Sequence, residues 1–206
     1  MTIALNKAGK RFNRDWIFRN LSGHFESGNS YAIIGANGSG KSTFLQVIAG
    51  ALHLNEGNCT WTSGAPVPSE KVYRYVACCA PYLELIEEMT LLEFLGFHQQ
   101  FKPFMAGITP KKIVEELGMQ AAAHKRIQQF SSGMKQRAKL AQCIYSDTPI
   151  VLLDEPCTNL DRQGIDLYYT LIDQYCKDRL VLVGSNDEVE YKFCREQLSM
   201  MDYKVF

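Results

Sequence analysis

The chain of 206 residues carries 22 basic and 22 acidic side chains, and 46% of its residues are hydrophobic. This composition is typical of a globular protein with a buried core and argues against a fibrous or disordered chain. Because the charges balance, no net field favours nucleic acid or an anionic membrane surface, and we expect no nucleic-acid partner.

The location of the protein is indicated by its apolar segments and its cysteines. No apolar run approaches the ~18 residues that a membrane-spanning helix needs, and residues 1–10 lack the pattern of a signal peptide. The seven cysteines have no CxxC spacing, which favours buried free thiols over metal or redox chemistry. We therefore expect a cytoplasmic protein, and the adjacent Cys78 and Cys79 are given no role.

The first third of the chain is predicted to form several strands and one helix. Residues 2–26 alternate irregularly between apolar and polar and contain several breakers, which predicts short antiparallel strands. Residues 30–35 predict a strand that leads into a glycine-rich turn, and a helix follows from Lys41 to Ala49, ended by Gly50. Residues 57–69 predict turns around further short strands, and the apolar residues 72–80 predict another strand.

Helices dominate the middle of the chain. Thr90 and Glu93 match a capping box, which predicts a helix from Leu91 to about Gln100. A second helix is predicted from Pro110 to Leu117, where Gly118 ends it. A third is predicted after residues 131–133 and continues to about Tyr145, because apolar residues share one of its faces.

The last third predicts a parallel sheet. Residues 150–153 and 180–183 are apolar throughout, as in strands buried on both faces, and residues 165–177 between them predict a helix. This alternation predicts an α/β fold with a mostly parallel sheet, an N-terminal antiparallel β-subdomain, and a helical subdomain inserted at about residues 82–145. We expect residues 1–206 to form a single domain.

A phosphate-binding loop is predicted between the strand at 30–35 and the helix that follows. The segment matches GxxxxGK[ST], a pattern in which glycines let backbone N–H groups surround a phosphate at the positive end of a helix dipole. We expect Lys41 to reach the β- and γ-phosphates and the Ser42 hydroxyl to bind Mg²⁺. The predicted nucleotide-binding residues here are Gly35, Ala36, Asn37, Gly38, Ser39, Gly40, Lys41, Ser42 and Thr43.

Two carboxylates, Asp154 and Glu155, follow directly after the predicted strand at 150–153. Open α/β sheets bind ligands at the carboxyl ends of their strands. The pattern alone is as typical of a solvated strand end, but the phosphate-binding loop favours a P-loop NTPase core. We then expect Asp154 to hold Mg²⁺, directly or through water, and Glu155 to polarise the water that attacks the γ-phosphate.

Taken in order, these segments resemble the ATP-binding subunits of ABC transporters over nearly the whole chain. The discriminating segment, residues 130–137, reads Phe-Ser-Ser-Gly-Met-Lys-Gln-Arg and is similar to the family signature Leu-Ser-Gly-Gly-Gln. Ser132 replaces the first glycine of the signature, and Met134 replaces its glutamine. The resemblance implies that Ser131 and Gly133 face the γ-phosphate bound by the other subunit of a dimer. Residues 158–161 are similar to the family's D-loop, which crosses the dimer interface.

The resemblance also assigns an adenine-stacking ring and reveals two departures. Phe12 stands roughly where the family stacks an aromatic side chain on adenine, although a core role for Phe12, or Trp16 as the stacking residue, remains open. The family's glutamine after the strand at 72–80 is replaced by Ala80 or Pro81. Its usual histidine after the last core strand is replaced by Ser-Asn-Asp, where Asn186 can still donate a hydrogen bond to the γ-phosphate but cannot become cationic.

The function that this resemblance implies is ATP hydrolysis coupled to transport, with ATP and Mg²⁺ as ligands and with Glu155 and Asn186 as catalytic residues. It implies a homodimer, or a pair with a second ATPase subunit, beneath an integral membrane permease at the inner face of the cell membrane. The degenerate signature and the length are most similar to exporter subunits of the haem-exporter type.

Two other functions remain open. One is a regulatory ATP-binding clamp with little or no hydrolysis, which the two departures permit. The other is a soluble ABC ATPase of translation or DNA maintenance, although this chain lacks the two fused ATPase domains or long coiled coil of those proteins. The aromatic residues between Tyr82 and Phe104 are either core or part of a docking surface for the permease.

Overall fold

The computed structural model describes residues 1–205, which form two compact units. The first unit comprises residues 1–78, 148–155 and 178–205, and the second comprises residues 79–147 and 156–177. Within residues 1–205, no helix combines the length and apolar character needed to cross a bilayer. The expected single domain with a helical subdomain at about 82–145 stays a prediction.

An antiparallel sheet forms one layer of the first unit. Its strands, in the order β2-β1-β4-β5, are β1 (Thr2–Phe12), β2 (Asp15–Glu26), β4 (Glu56–Ser63) and β5 (Ala65–Val67). The antiparallel prediction is confirmed, but the prediction of short strands is wrong for β1 and β2, which have 11 and 12 residues. Of the predicted breakers, Asn13 lies in the turn between β1 and β2, whereas Gly9, Ser22 and Gly23 lie inside the strands, whose register shifts between Leu5 and Ala8 and between Ala8 and Lys10.

A five-stranded sheet forms the other layer. Its strands, in the order β6-β7-β8-β3-β9, are β3 (Ser30–Ile34), β6 (Val76–Cys79), β7 (Ile150–Asp154), β8 (Leu180–Gly184) and β9 (Glu196–Ser199). The β7–β8, β8–β3 and β3–β9 pairings are parallel, and every residue of β7 and β8 is buried. The predicted mostly parallel sheet with buried central strands is therefore confirmed.

The predicted strand at 72–80 is wrong in its first half. Residues Ser69–Arg74 form a 3₁₀ helix, in which Lys71 N–H donates to the Pro68 carbonyl at 2.9 Å. Pro68, with φ of −60°, stands at the start of this helix. Val72 of this helix and Val76 are both buried, and the strand begins only at Val76.

Helix α1 (Lys41–Ile48) lies in the core of the first unit. Phe44 packs against Phe18 and Phe25 of β2 at ring-centroid distances of 6.0 and 5.9 Å. The predicted helix end is confirmed, because Gly50 has the left-handed φ of 71°. The unit also contains the short helix α6 (Glu188–Tyr191).

The second unit contains the helices α2 (Leu91–Phe101), α3 (Pro110–Glu116), α4 (Ser132–Ile144) and α5 (Arg162–Tyr175). The predicted capping box is present, since Thr90 N–H donates to Glu93 Oε2 at 2.8 Å and Glu93 N–H donates to Thr90 Oγ1 at 3.3 Å. Phe94 and Phe104 are buried, whereas Tyr82, Phe97 and Phe101 are exposed.

One carboxylate joins the ends of three helices in this unit. Glu116, the last residue of α3, accepts a hydrogen bond from Tyr145 Oη at 2.6 Å and from Tyr175 Oη at 2.7 Å. Tyr145 directly follows α4, and Tyr175 ends α5. Burial and the Glu116 carboxylate raise the pKa of both tyrosines, that of Tyr175 to about 12.

Candidate nucleotide site

The loop between β3 and α1 has the conformation that a phosphate cradle requires. Gly35, Gly38 and Gly40 have φ values of 146°, 77° and 105°, which side-chain-bearing residues rarely adopt. A Cβ on Gly40 would lie 2.5 Å from Cγ2 of Ile17, and one on Gly35 would lie 2.6 Å from Oγ of Ser39. The loop therefore depends on glycine both for its backbone conformation and for its packing.

Lys41, the first residue of α1, directs its ammonium into this loop. Its side chain is buried, and Nζ donates to the carbonyl oxygens of Gly35 at 2.8 Å and Ala36 at 3.3 Å. Loop carbonyls thus hold a positive charge beside a helix start whose N–H groups are free to bind an anion. The arrangement suits a phosphate group.

Asp154 stands at the carboxyl end of β7 and is only 3% exposed. Burial raises the pKa of its carboxyl group, while a hydrogen bond from Ser42 and the charge of Lys41 act in the opposite direction. Its Oδ1 atom is fully buried without a hydrogen-bond partner among the described residues, and the same is true of Ser39 Oγ. Buried polar atoms are normally paired, so these two atoms are available to a ligand.

The oxygen atoms described above fit a hydrated magnesium ion that also binds phosphate. Mg²⁺ in proteins is usually bound by one or two oxygen side chains, with water and phosphate oxygens completing six ligands. Within residues 1–205, no group of three or more His, Cys, Asp or Glu side chains could hold a metal. Gly184 keeps the space beside Asp154 open, because a Cβ there would lie 3.2 Å from Asp154 Oδ1.

Glu155 is held in an unusual backbone conformation. Its φ is 46°, in the left-handed region, and its N–H donates to the Gly184 carbonyl at 2.9 Å. Such conformations are costly for non-glycine residues, and they cluster at active sites. The carboxylate is half-buried, and it follows the buried Asp154 directly.

The residue after β8 also contacts the loop. Asn186 is exposed, and its Nδ2 donates to Oδ1 of Asn37 at 3.4 Å. The first unit therefore brings together Asn186, Asp154, Ser42 and the loop from Gly35 to Gly40. Of the two residues at which the family glutamine is expected, Ala80 is buried and Pro81 is exposed, and neither has a polar side chain.

The two aromatic candidates for adenine stacking differ in their surroundings. Phe12 is 46% exposed, so it is not a core residue, and Lys10 Nζ lies 5.0 Å from its ring centroid. Trp16 is half-buried, and Arg11 and Arg19 lie 5.4 and 4.6 Å from its ring. Both rings have cations beside them, but Phe12 is the more exposed of the two, which makes it the better candidate for stacking on a ligand.

The signature residues lie in the second unit, at the start of α4. Ser131 precedes the helix, and its Oγ accepts a hydrogen bond from Met134 N–H at 3.3 Å, so the helix begins at Ser132 rather than after Gly133. A Cβ on Gly133 would lie 3.0 Å from the carbonyl oxygen of Asn159. The helix start and the segment at 156–161 therefore pack closely.

Two residues of α4 that the sequence analysis did not single out fasten this segment. Gln136 is 5% exposed, and its Nε2 donates to the Pro156 carbonyl at 2.7 Å. Arg137 forms an ion pair with Asp161 at 3.0 Å. The signal for Gln136 was available, because it shares helical spacing with the buried Leu140 and Cys143.

Comparison with known proteins identifies the family. Residues 18–158 match the family model described as ABC transporter. The uncharacterised ABC transporter ATP-binding protein YhcH of Bacillus subtilis is 30% identical over 171 residues, which cover 79% of this chain and 54% of YhcH. The cytochrome c biogenesis ATP-binding export protein CcmA of Haemophilus influenzae is 28% identical over 191 residues, 91% of this chain and 90% of CcmA.

A solved structure has the same fold. The bacterial ABC transporter cassette MJ0796, described as dimeric, superposes with a TM-score of 0.81 at 21% identity, covering 96% of this chain and 94% of that one. The chain spans about half of YhcH and, among other matching relatives, 22% and 65% of their lengths. Because the family model matches more than half of the chain, the protein belongs to the ABC transporter family.

Proposed function

We propose that this chain binds and hydrolyses ATP as the ATP-binding subunit of an ABC transporter. Family membership implies ATP as the ligand. The observation that carries the proposal is the pairing of a glycine loop around the Lys41 ammonium with the buried Asp154, whose Oδ1 atom has no protein partner. A loop that only made a turn would not need a buried carboxylate with one unpaired oxygen beside it.

Within this site, Ser42 and Asp154 would hold Mg²⁺, and the backbone of residues 35–43 would bind the phosphates. A magnesium ion at this position neutralises part of the charge of the phosphates. Lys41 contributes a second positive charge in a buried setting, where electrostatic attraction is stronger than in water. Phe12 would stack on the adenine ring.

Hydrolysis would use the groups at the ends of β7 and β8. Glu155 polarises the attacking water, and Asn186 donates a hydrogen bond from Nδ2 to the γ-phosphate, exchanging its contact with Asn37 for one with the ligand. Because a neutral amide stabilises developing charge less than a cation does, we expect slow turnover.

We further propose that two copies, or one copy and a second ATPase subunit, enclose the nucleotides. Ser131, Gly133 and the start of α4 from one subunit would close on the γ-phosphate held by the other. The dimeric description of MJ0796 and the export function in the name of CcmA support pairing and a permease partner. Residues 1–206 would act as one ABC ATPase domain, bound through the permease to the inner face of the cell membrane, and the exporter subtype stays a prediction.

The proposal is tested by comparing phosphate release by the wild type and by Glu155→Gln at saturating Mg-ATP. We expect the variant to lose at least tenfold in rate while binding ATP normally. Equal background rates with intact ATP binding would instead support the regulatory clamp. Failure of both proteins to bind ATP would refute the nucleotide site itself.

A further inference from the structure

Backbone groups on both sides of the Glu155 Cα form hydrogen bonds. On one side, Glu155 N–H donates to the Gly184 carbonyl at 2.9 Å. On the other side, the next residue is Pro156, whose ring limits rotation, and the Pro156 carbonyl accepts from Gln136 Nε2 at 2.7 Å. Glu155 itself keeps a φ of 46° between these two anchors.

This conformation needs outside support. A left-handed φ is unfavourable for a residue with a Cβ, and it persists only where the surroundings prevent relaxation. Glu155 therefore depends on its two flanking hydrogen bonds to direct its carboxylate. The bond to Gly184 belongs to the parallel sheet, whereas the bond from Gln136 is supplied by a side chain on the helix that begins at the signature residues.

The buried Gln136 side chain uses its amide to hydrogen-bond the Pro156 carbonyl. It is 5% exposed, so its amide is removed from water, and its short bond to Pro156 is accompanied by a weaker contact with Cys79 Sγ at 3.8 Å. The neighbouring ion pair between Arg137 and Asp161 is more accessible to solvent, because the Asp161 side chain is 67% exposed. Exposed ion pairs stabilise little, so the buried amide is the stronger restraint.

We infer that Gln136 is a positioning residue for hydrolysis. It acts through the carbonyl of Pro156, the next residue along the chain, to hold Glu155 in its left-handed conformation. The inference rests on the proposed function and assigns Gln136 no contact with the nucleotide. Loss of this hydrogen bond should lower the rate of hydrolysis and leave ATP binding unchanged.

The test is a double-mutant cycle with Gln136→Met, which keeps the side-chain length but has no donor, and Glu155→Gln. In the full-length protein we expect Gln136→Met to lower kcat at least tenfold and to change the Kd for Mg-ATP less than twofold. In the Glu155→Gln background the same substitution should change the residual rate less than twofold, because no carboxylate is left to position. Gln142→Met, on the same helix at a half-buried position, is the matched control and should keep the wild-type kcat.

The outcomes separate this inference from the function on which it rests. A wild-type kcat for Gln136→Met, or an equal fold loss in both backgrounds, overturns the positioning role while hydrolysis stands. Equal rates for the wild type and Glu155→Gln remove the proposed function and this inference with it. If Gln136→Met does not fold, Gln136→Asn is measured in the same cycle, because its amide donor is shorter by one methylene. If neither variant folds, the role of Gln136 is structural and the inference is overturned.

Discussion

The buried carboxylate of Asp154 leads to a prediction that separates function from stability. We replace it with the neutral Asp154→Asn, which has nearly the same shape. In the nucleotide-free protein, Asp154 Oδ1 lacks a partner and burial raises the pKa of the group. The charge therefore destabilises the folded protein, and its removal should raise the free energy of unfolding.

The size of the effect follows from the cost of unpaired buried groups. Such a group costs about 1–3 kcal/mol, and because the asparagine amide also needs partners, we expect a net gain of about 1 kcal/mol. For a chain of this length, that gain raises Tm by roughly 2–4 °C. Mg-ATP at a hundred times its Kd should stabilise the wild type by about 2.7 kcal/mol, and this stabilisation should be largely lost in the variant.

The sign of the pH dependence can be worked out. Because the folded pKa of Asp154 lies above its ordinary value of 3.8, the folded state binds the proton more tightly than the unfolded state. The free energy of unfolding of the wild type therefore falls as the pH rises from the ordinary pKa of Asp154 through its raised pKa in the folded state. The advantage of Asp154→Asn should be small near pH 4 and should grow to a plateau as pH rises.

The assay is thermal unfolding with and without Mg-ATP, at several pH values. Asp173→Asn serves as the control, because Asp173 is exposed and pairs only with Lys177 across one helical turn, so it should change Tm little. A nucleotide-free Tm below that of the wild type would show that the carboxylate stabilises the fold. An unchanged Mg-ATP shift would remove Asp154 from the metal site.

Three further predictions concern nucleotide binding and pairing. Lys41→Ala should weaken ATP binding at least about tenfold by calorimetry, because the buried ammonium is lost, with an unchanged circular dichroism spectrum; normal affinity would count against the loop. Ser131→Ala should lower the free energy of unfolding by about 1 kcal/mol through the lost helix cap, and it should abolish ATP-driven pairing measured by light scattering. The control Thr109→Ala, which removes the corresponding cap of α3, should lower stability by the same amount and pair normally. Equal pairing by both variants would contradict the shared site. Phe12→Ala should weaken ATP binding by about 1 kcal/mol of stacking, and a larger loss in Trp16→Ala would reverse the assignment.

The fold could be predicted where local chemistry and tertiary packing agree. The strand at 150–153 is apolar at every position, and Thr90 with Glu93 satisfies a capping box, so both elements appear as predicted. The phosphate-binding loop was also predictable, because its glycines match conformations that other residues avoid. In each case a few adjacent residues determine the outcome.

The failures occur where distant contacts decide. The polar strand β9 (Glu196–Ser199) shows no apolar alternation and forms because its backbone pairs with β3. The sequence predicts that a strand begins at residue 72, but residues 69–74 form a 3₁₀ helix that Pro68 precedes. Gly9, Ser22 and Gly23 predict strand ends, but the pairing of β1 with β2 continues past them with shifts of register.

The candidate site shows the same limit. The sequence identifies Asp154 and Glu155 by their order after a strand, but it cannot show that Oδ1 of Asp154 lacks a partner. The bond from Gln136 to Pro156 links residues twenty positions apart in sequence and depends on how α4 packs. Likewise, only the structure shows that Phe12 is more exposed than Trp16.

The Glu116 junction makes the end of α3 and the ends of α4 and α5 depend on one another. Because the pKa of Tyr175 rises from 10 in the unfolded chain to about 12, its contribution is complete below pH 10 and is lost as pH rises through about 12. Deprotonation of Tyr175 places an anionic phenolate beside the anionic Glu116 carboxylate, so the hydrogen bond is lost and the two groups repel each other. Amide hydrogen exchange at these helix ends should then accelerate together in alkaline solution, as one cooperative opening rather than as separate fraying.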